Sequence, residues 1–455
     1  MTIAFKNNDE KEVERFVSIN IYSTPHINGI KGVYKNTSKD FIVKEIDEKG
    51  NILRLKQDNT RVSFSEDSKD RFTTFNLIKI NKETFEAIEL ISNALNIPVD
   101  MIFYSGLKDK CSVSVQRLSI KGNYIDRLRK LKIRDIFIKN IHPSRRSVKL
   151  GSHWGNHFII VIRNIENDNN PLKRIQKIFK ILQNQGFPNY FGLQRFGTFR
   201  PNSHLIGKYL LEQKYKEAFD EYVINSYSTE VDFSQKIRTE LRKTGDFVKA
   251  FNNFPASLNY EKMMIKYLIE NQEDYKGAIN QLPIYLKKLL ISSFQSYLFN
   301  RMLSLRVKKG YSLFKPIKGD VICILDDVNG HYTQIVYKYG ANYDKHLNEA
   351  LRLNRAAIVI PLIGYDTNLN DFPLMNELVK EIYRMENIDV DIFNNELLKE
   401  YEFKGTFRPM ITKPNSLKLL EFAKDELFQE KMKLKLEFSL QRGSYATMLL
   451  RELMK

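Results

Sequence analysis

The chain has 455 residues, a length that at roughly 150 residues per domain predicts about two to four domains and a sizeable buried core. With 42% apolar and 12% aromatic residues, it is too rich in core-forming side chains to be disordered throughout. Its formal net charge of +18 favours a polyanionic partner, nucleic acid or an acidic membrane surface, over a neutral or basic one.

Up to about residue 215 short apolar alternations dominate. FIVKEI at 41–46, SVSVQRLSI at 112–120 and HFIIVIRNI at 157–165 all read as strands. One helix interrupts them at 82–97, where Phe85, Ile88 and Leu95 recur at helical spacing and Pro98 marks the end. From about 216 to 410 the pattern turns α-rich, with helical spacing at 209–223 and above all at 283–307, which Pro283 opens and Gly310 stops. KLKLEFSL at 433–440 then alternates as a strand again, and Gly443-Ser444 opens a short terminal helix. A strand after a different block can rejoin the first sheet. The expected division is therefore 30–215 with 411–455 as one core, 216–410 as an insertion, and 1–29 as an unassigned extension.

Several motifs are absent. Gly192 and Gly197 have P-loop spacing, but Thr198 stands where the phosphate-binding lysine belongs. His142, His153 and His157 lack the companions of a zinc site, so no metal is expected. Two cysteines, Cys111 and Cys323, make neither a disulfide framework nor a four-cysteine site. MTIAFKNNDEKEVERF has no apolar signal core, and no apolar stretch reaches the roughly 18 residues of a membrane span. A cytoplasmic protein is expected.

MIFYSGLKDKCSVSVQRLSI at 101–120 is the most suggestive segment. Gly106 offers a tight turn between strands and puts Lys108-Asp109-Lys110 at a loop tip. The two flanking ammonium groups would hold Asp109 ionised, and an ionised carboxylate can serve as nucleophile or base. The alternation slips phase between Val115 and Leu118, as a bulge near Gln116-Arg117 would cause. An ordinary solvated turn is the plainer reading of these residues by themselves.

FPNYFGLQRFGTFRPNSH at 187–204 interleaves five aromatics with Asn189, Arg195 and Arg200, a layout suited to stacking unpaired bases while arginines hold phosphates or neighbouring carboxylates, although a buried aromatic loop would look the same. Phe41 and Glu45 share one face of a strand. Arg145, Arg146 and Lys149 form a candidate phosphate-contacting face.

Together these segments resemble the TruD family of pseudouridine synthases. GLKDK followed by Val113, Ser114, Val115 and Gln116 is similar to the family's G-x-K-D-x-x-A-V-T-x-Q segment, with Ser114 in place of threonine, and NYFGLQRFG at 189–197 matches its N-Y-F-G-x-Q-R-F-G signature. DFIVKEI, LGSHWGN, QSYLFN, IPLIGYDT and GSYATMLLREL resemble further family segments in order, although Gln441 stands where the family often has proline. The resemblance spans roughly residues 30 to 455. It implies an α+β fold: a pseudouridine synthase core with a mixed, largely antiparallel sheet, plus an inserted α-rich α/β domain.

It also implies conversion of uridine to pseudouridine in structured RNA, typically tRNA at position 13, without metal, organic cofactor or obligatory oligomer. Asp109 stands at the position of the nucleophile and would attack carbon 1 of the ribose or carbon 6 of uracil on a flipped-out uridine. Phe191 is the expected stacking ring, and Asn189, Lys108, Phe41 and Glu45 the expected pocket neighbours. Arg145, Arg146, Lys149, Arg195 and Arg200 are expected to contact RNA. A catalytically silent RNA-binding protein is the first rival reading, which an intact Asp109 disfavours. A nucleoside glycosidase is the second, which would have little use for a charge of +18.

Overall fold

The structure is a computed structural model that describes residues 3, 10–55, 71–168, 170–326, 330–340 and 342–455. It divides into two compact units: Ser23–Phe187 with Thr412–Lys455, and Met1–Tyr22 with Pro188–Ile411. The first is organised around a sheet and the second around helices. Among the described residues no helix is long and apolar enough to cross a membrane.

The helical unit holds the first helix, α1 (Glu10–Phe16). The sheet unit then lays down β1 (Val33–Tyr34), β2 (Phe41–Ile46) and β3 (Phe72–Ile80), followed by α2 (Thr84–Leu95). After these come β4 (Ile102–Tyr104), β5 (Val113–Lys121), β6 (Ile136–Ser144), β7 (Gly155–Ile165) and α3 (Pro171–Gln185). Glu83 and Glu86 form a capping box that starts α2, and Asn96 ends it in the left-handed conformation at φ 47°. The buried face of α2 is Ala87, Ile88, Ile91 and Leu95, packed on Phe75 and Leu77 of β3 and on Leu118 and Ile120 of β5. Phe85, expected on that face, is exposed, with its ring at the edge of Tyr104 at 5.7 Å.

The bulge expected near Gln116-Arg117 is absent: Phe72–Ile80 pairs with Val113–Lys121 antiparallel and without a shift of register. The phase slip has another cause, because the sheet is buried on both faces. Val115 joins Leu53 and Ile78 on one side, while Leu118 and Ile120 face α2 on the other.

In the helical unit α4 (Ser203–Leu211) packs on α5 (Ile284–Lys308). Residues around the whole circumference of α5 are buried, from Leu290 to Arg306, as expected of a helix at the centre of its unit. Gly207 lets the two helices approach: a Cβ there would stand 2.2 Å from the Leu290 carbonyl oxygen. A small antiparallel sheet completes the unit, formed by β8 (Val321–Leu325), β9 (Tyr332–Lys338), β10 (Ala356–Leu362) and β11 (Thr406–Pro409) in the order β9-β8-β10-β11.

The chain then returns to the first sheet with β12 (Asn415–Lys424), β13 (Met432–Gln441) and α6 (Ala446–Met454). The strand order is β12-β13-β7-β2-β5-β3-β6, with β1 on β7 and β4 on β5. Every pair is antiparallel except β2 with β5, which gives the mixed, largely antiparallel sheet. Buried Arg163 of β7 ties the returning segment down, bonding Asp40 at 2.9–3.0 Å and Asp425 at 2.9 Å.

The units divide at 187/188, whereas the composition changes near 216. The reason lies on α5, where Ser293, Ser296, Asn300 and Ser304 form one polar stripe that binds the segment beginning at Tyr190. Two of the same side chains hold the start of the chain, Asn300 Nδ2 donating to the Val17 carbonyl and Ser304 Oγ to that of Ser18.

Candidate active site

In the sheet unit the connection from β4 to β5 carries Lys108 and Asp109. The two side chains point opposite ways. Lys108 turns inward, its Nζ 3.0 Å from Glu45 Oε2, with both side chains almost wholly buried. The Ser105 hydroxyl donates to Glu45 Oε2 at 2.5 Å and the Arg117 amide to Oε1 at 3.2 Å, so both carboxylate oxygens are satisfied. His153 packs beside the pair, and burial together with the Lys108 charge pushes its pKa down to about 4, which keeps the imidazole neutral at physiological pH.

Asp109 turns outward, with 48% of its side chain exposed. Its partner is Lys35, which follows β1: Lys35 Nζ lies 2.6 Å from Asp109 Oδ2 and 4.3 Å from the centre of the Phe41 ring. This corrects the expectation that Lys108 and Lys110 flank the carboxylate, because Lys108 is spent on Glu45. Phe41 is buried, between Tyr34 and Phe158.

The backbone beneath Asp109 is held at several points. Lys79 of β3 has no exposed surface, and its Nζ donates to the carbonyls of Lys82, Lys108 and Asp109 at 2.6, 3.2 and 2.8 Å. Ser112 Oγ donates to the Asp109 carbonyl at 2.7 Å, Lys108 N–H donates to Thr84 Oγ1 at 3.0 Å, and Gln116 Nε2 donates to the Gly106 carbonyl at 3.3 Å. Neither Lys35 nor Lys79 was expected from the sequence. Lys79 in FTTFNLIKI carried the one available signal, a single charged residue in its strand, set between two isoleucines.

In the helical unit the NYFGLQRFG segment is fixed by the polar stripe of α5. Tyr190 OH bonds Ser304 Oγ at 2.7 Å, Phe191 N–H donates to Asn300 Oδ1 at 3.0 Å, and Arg195 Nε donates to Ser296 Oγ at 3.1 Å. Tyr190 and Phe196 are core residues, whereas Phe191 is half-buried with Phe299 at its edge and the Arg408 guanidinium 4.1 Å above its ring. Arg408 of β11 also donates to both oxygens of Asn189, and Asn189 Nδ2 donates to the Pro409 carbonyl. Asn189 is thus buried and bonded through both ends of its amide. The sequence reading missed Arg408.

Arg200 does not present a guanidinium to a phosphate, which corrects its expected role. It donates to the carbonyls of Tyr222, Glu221 and Asn225, which a turn of π-helix at Asp220–Ile224 leaves open, and it lies among Glu230 and Glu261. Burial lowers its pKa. Arg145, Arg146 and Lys149, by contrast, are exposed in the connection from β6 to β7.

The arrangement in the sheet unit offers a solvent-reachable carboxylate, a cation against it and an anchored backbone, the parts a carboxylate nucleophile needs. Breaking the buried pair behind it has a calculable cost. Glu45→Ala strands the Lys108 ammonium and should lower unfolding free energy by about 3–5 kcal/mol in chemical denaturation, and a loss below about 1 kcal/mol would contradict the desolvated geometry.

The family described as tRNA pseudouridine synthase D (TruD) matches residues 16–453. A Methanosarcina mazei protein named probable tRNA pseudouridine synthase D is 32% identical over 448 residues, covering 98% of each chain. One from Methanocaldococcus jannaschii, named probable tRNA pseudouridine synthase D 1, is 31% identical over 437 residues, covering 96% of this chain and 98% of its own. A crystal structure from Methanosarcina mazei, named for tRNA pseudouridine synthase D (TruD), superimposes with a TM-score of 0.77 at 32% identity, over 97% of this chain and 98% of that one.

Proposed function

Because this chain belongs to the TruD family of tRNA pseudouridine synthases and isomerises uridine to pseudouridine in tRNA, we propose that Asp109 is its nucleophile and the uridine at position 13 its target. The observation that carries the assignment is the half-exposed Asp109 carboxylate, 2.6 Å from Lys35, on a loop anchored from below. Lys35 sets a positive charge against the carboxylate that attacks. The target nucleotide leaves its stack, Asp109 attacks it, and the bond between base nitrogen 1 and ribose carbon 1 breaks. The base turns while held, its carbon 5 bonds to ribose carbon 1, the bond to Asp109 breaks, and the proton on carbon 5 leaves while nitrogen 1 takes one up from solvent. No atom is gained or lost overall, so the reaction is an isomerisation.

Lys108 and Glu45 set the loop from which Asp109 acts, and Phe41 backs Lys35. Phe191 is the ring on which an unpaired base stacks, with Asn189 and Arg408 fixing its backbone and one face. Arg145, Arg146 and Lys149, joined by Arg195, contact phosphates. The proposed setting is the cytoplasm, where the chain acts on tRNA without metal, organic cofactor or a required oligomer.

Asp109→Asn keeps the shape and removes the anion, so conversion of a tRNA transcript should be lost while tRNA binding and fold persist. Normal conversion by this variant would overturn the assignment and favour a solvated turn. Phe191→Ala should lower single-turnover rate more than affinity, since stacking is worth about 1–3 kcal/mol per base while phosphate contacts supply most binding. An unchanged rate in the folded variant would make Phe191 a packing residue only. Replacing Arg145, Arg146 and Lys149 together by alanine should weaken tRNA binding and flatten the dependence of log affinity on log salt, as fewer counterions are released. A slope equal to that of the parent would remove this connection from the interface.

A further inference from the structure

The Lys79 ammonium sits at the foot of β3 with no exposed surface, and each of its three protons has its own acceptor: the carbonyls of Lys82, Lys108 and Asp109. Two of the three belong to the loop that presents the carboxylate, one of them to Asp109 itself. We propose that Lys79 is a positioning residue for the pseudouridine synthase reaction, clamping the backbone of Lys108 and Asp109 so that the Asp109 carboxylate is delivered at a fixed point. The inference rests on the reading of Asp109 as nucleophile.

The clamp works only while protonated. A neutral amine has two donors and a lone pair, so on losing its proton Lys79 turns a lone pair toward one of the three carbonyls and releases it. Burial, the dominant influence, lowers its pKa to about 8, against the pull of Asp109 and with the help of Lys108. The charged groups bearing on it are Asp109 and Lys108 from the loop and Glu83 and Glu86 from the start of α2. Its cross-strand neighbours, Ser114 of β5 and Ile136 of β6, carry no charge. The clamp therefore holds below pH 8 and loosens above it.

The test is single-turnover conversion of a tRNA transcript by the full chain across pH 6 to 9, with binding measured alongside and Asp109→Asn as a separate control. Lys79→Met keeps the bulk of the side chain without donors. It should convert about 100-fold more slowly at neutral pH with affinity within about threefold of the parent, the size of loss that a nucleophile misplaced by about 1 Å produces. The parent rate should fall as pH rises through about 8. Lys79→Arg stays charged throughout and should lose that fall, whereas a fall caused by the substrate base or another group stays where it was. A Lys79→Met rate within about threefold of the parent, or a fall near pH 8 retained in Lys79→Arg, overturns the proposal. If Asp109→Asn is inactive in the same assay, that failure belongs to Lys79 alone. If Asp109→Asn converts normally, the nucleophile reading fails and the Lys79 role falls with it.

Discussion

Two consecutive residues of one loop, Lys108 and Asp109, face opposite environments, and the ion pair that Lys108 makes with Glu45 is what keeps them apart. Taking two charges out of water is expensive, so such a pair persists only when its geometry is good and its remaining lone pairs are satisfied. Ser105 and the Arg117 amide meet that condition for Glu45. With Lys108 committed to the interior, Asp109 is left in solvent where Lys35 reaches it. The parallel pairing of β2 with β5 makes this possible, because it sets Glu45 beside the strand that follows the loop.

The helical unit solves a related problem with neutral groups. The NYFGLQRFG segment has little regular structure of its own, and its backbone polar groups need partners. The polar stripe of α5 and the guanidinium of Arg408 supply them. The same few side chains thus satisfy the loop and fix which of its aromatics are core and which, like Phe191, stay half-exposed.

Much of this was legible in the sequence, and the exceptions share a cause. FIVKEI matched its strand because one alternating face was enough to mark it, and the 283–307 helix announced itself by length, proline and glycine. Asp109 and Phe191 were legible because they sit in contiguous motifs. Lys35, Lys79 and Arg408 were not, because each acts on a segment away from its own in the chain, and only Lys79 carried a local sign, as the single charged residue of its strand. Arg200 looked like a phosphate ligand since composition cannot show that a π-turn has left carbonyls open beside it. The supposed bulge in β5 failed because a phase slip also arises when a strand is buried on both faces, and one sequence does not tell the two apart.

The return of β13 to a place between β12 and β7 has a consequence for how the chain is made. A ribosome delivers Asp109 and its supporting strands early, but the sheet that carries them stays open along β7 until residues 412–455 have emerged, after the whole helical unit. Throughout that interval β7 offers an apolar edge that other chains could pair with. Closure then joins residues very distant in sequence, down to Glu452 of α6, which accepts hydrogen bonds from Ser23 and Thr24. Pairings of such long range are slow to form. Maturation of the scaffold around Asp109 is thereby timed to the arrival of the C-terminal strand and helix, and a chain interrupted within the helical unit carries the loop of Asp109 without the complete sheet that supports it.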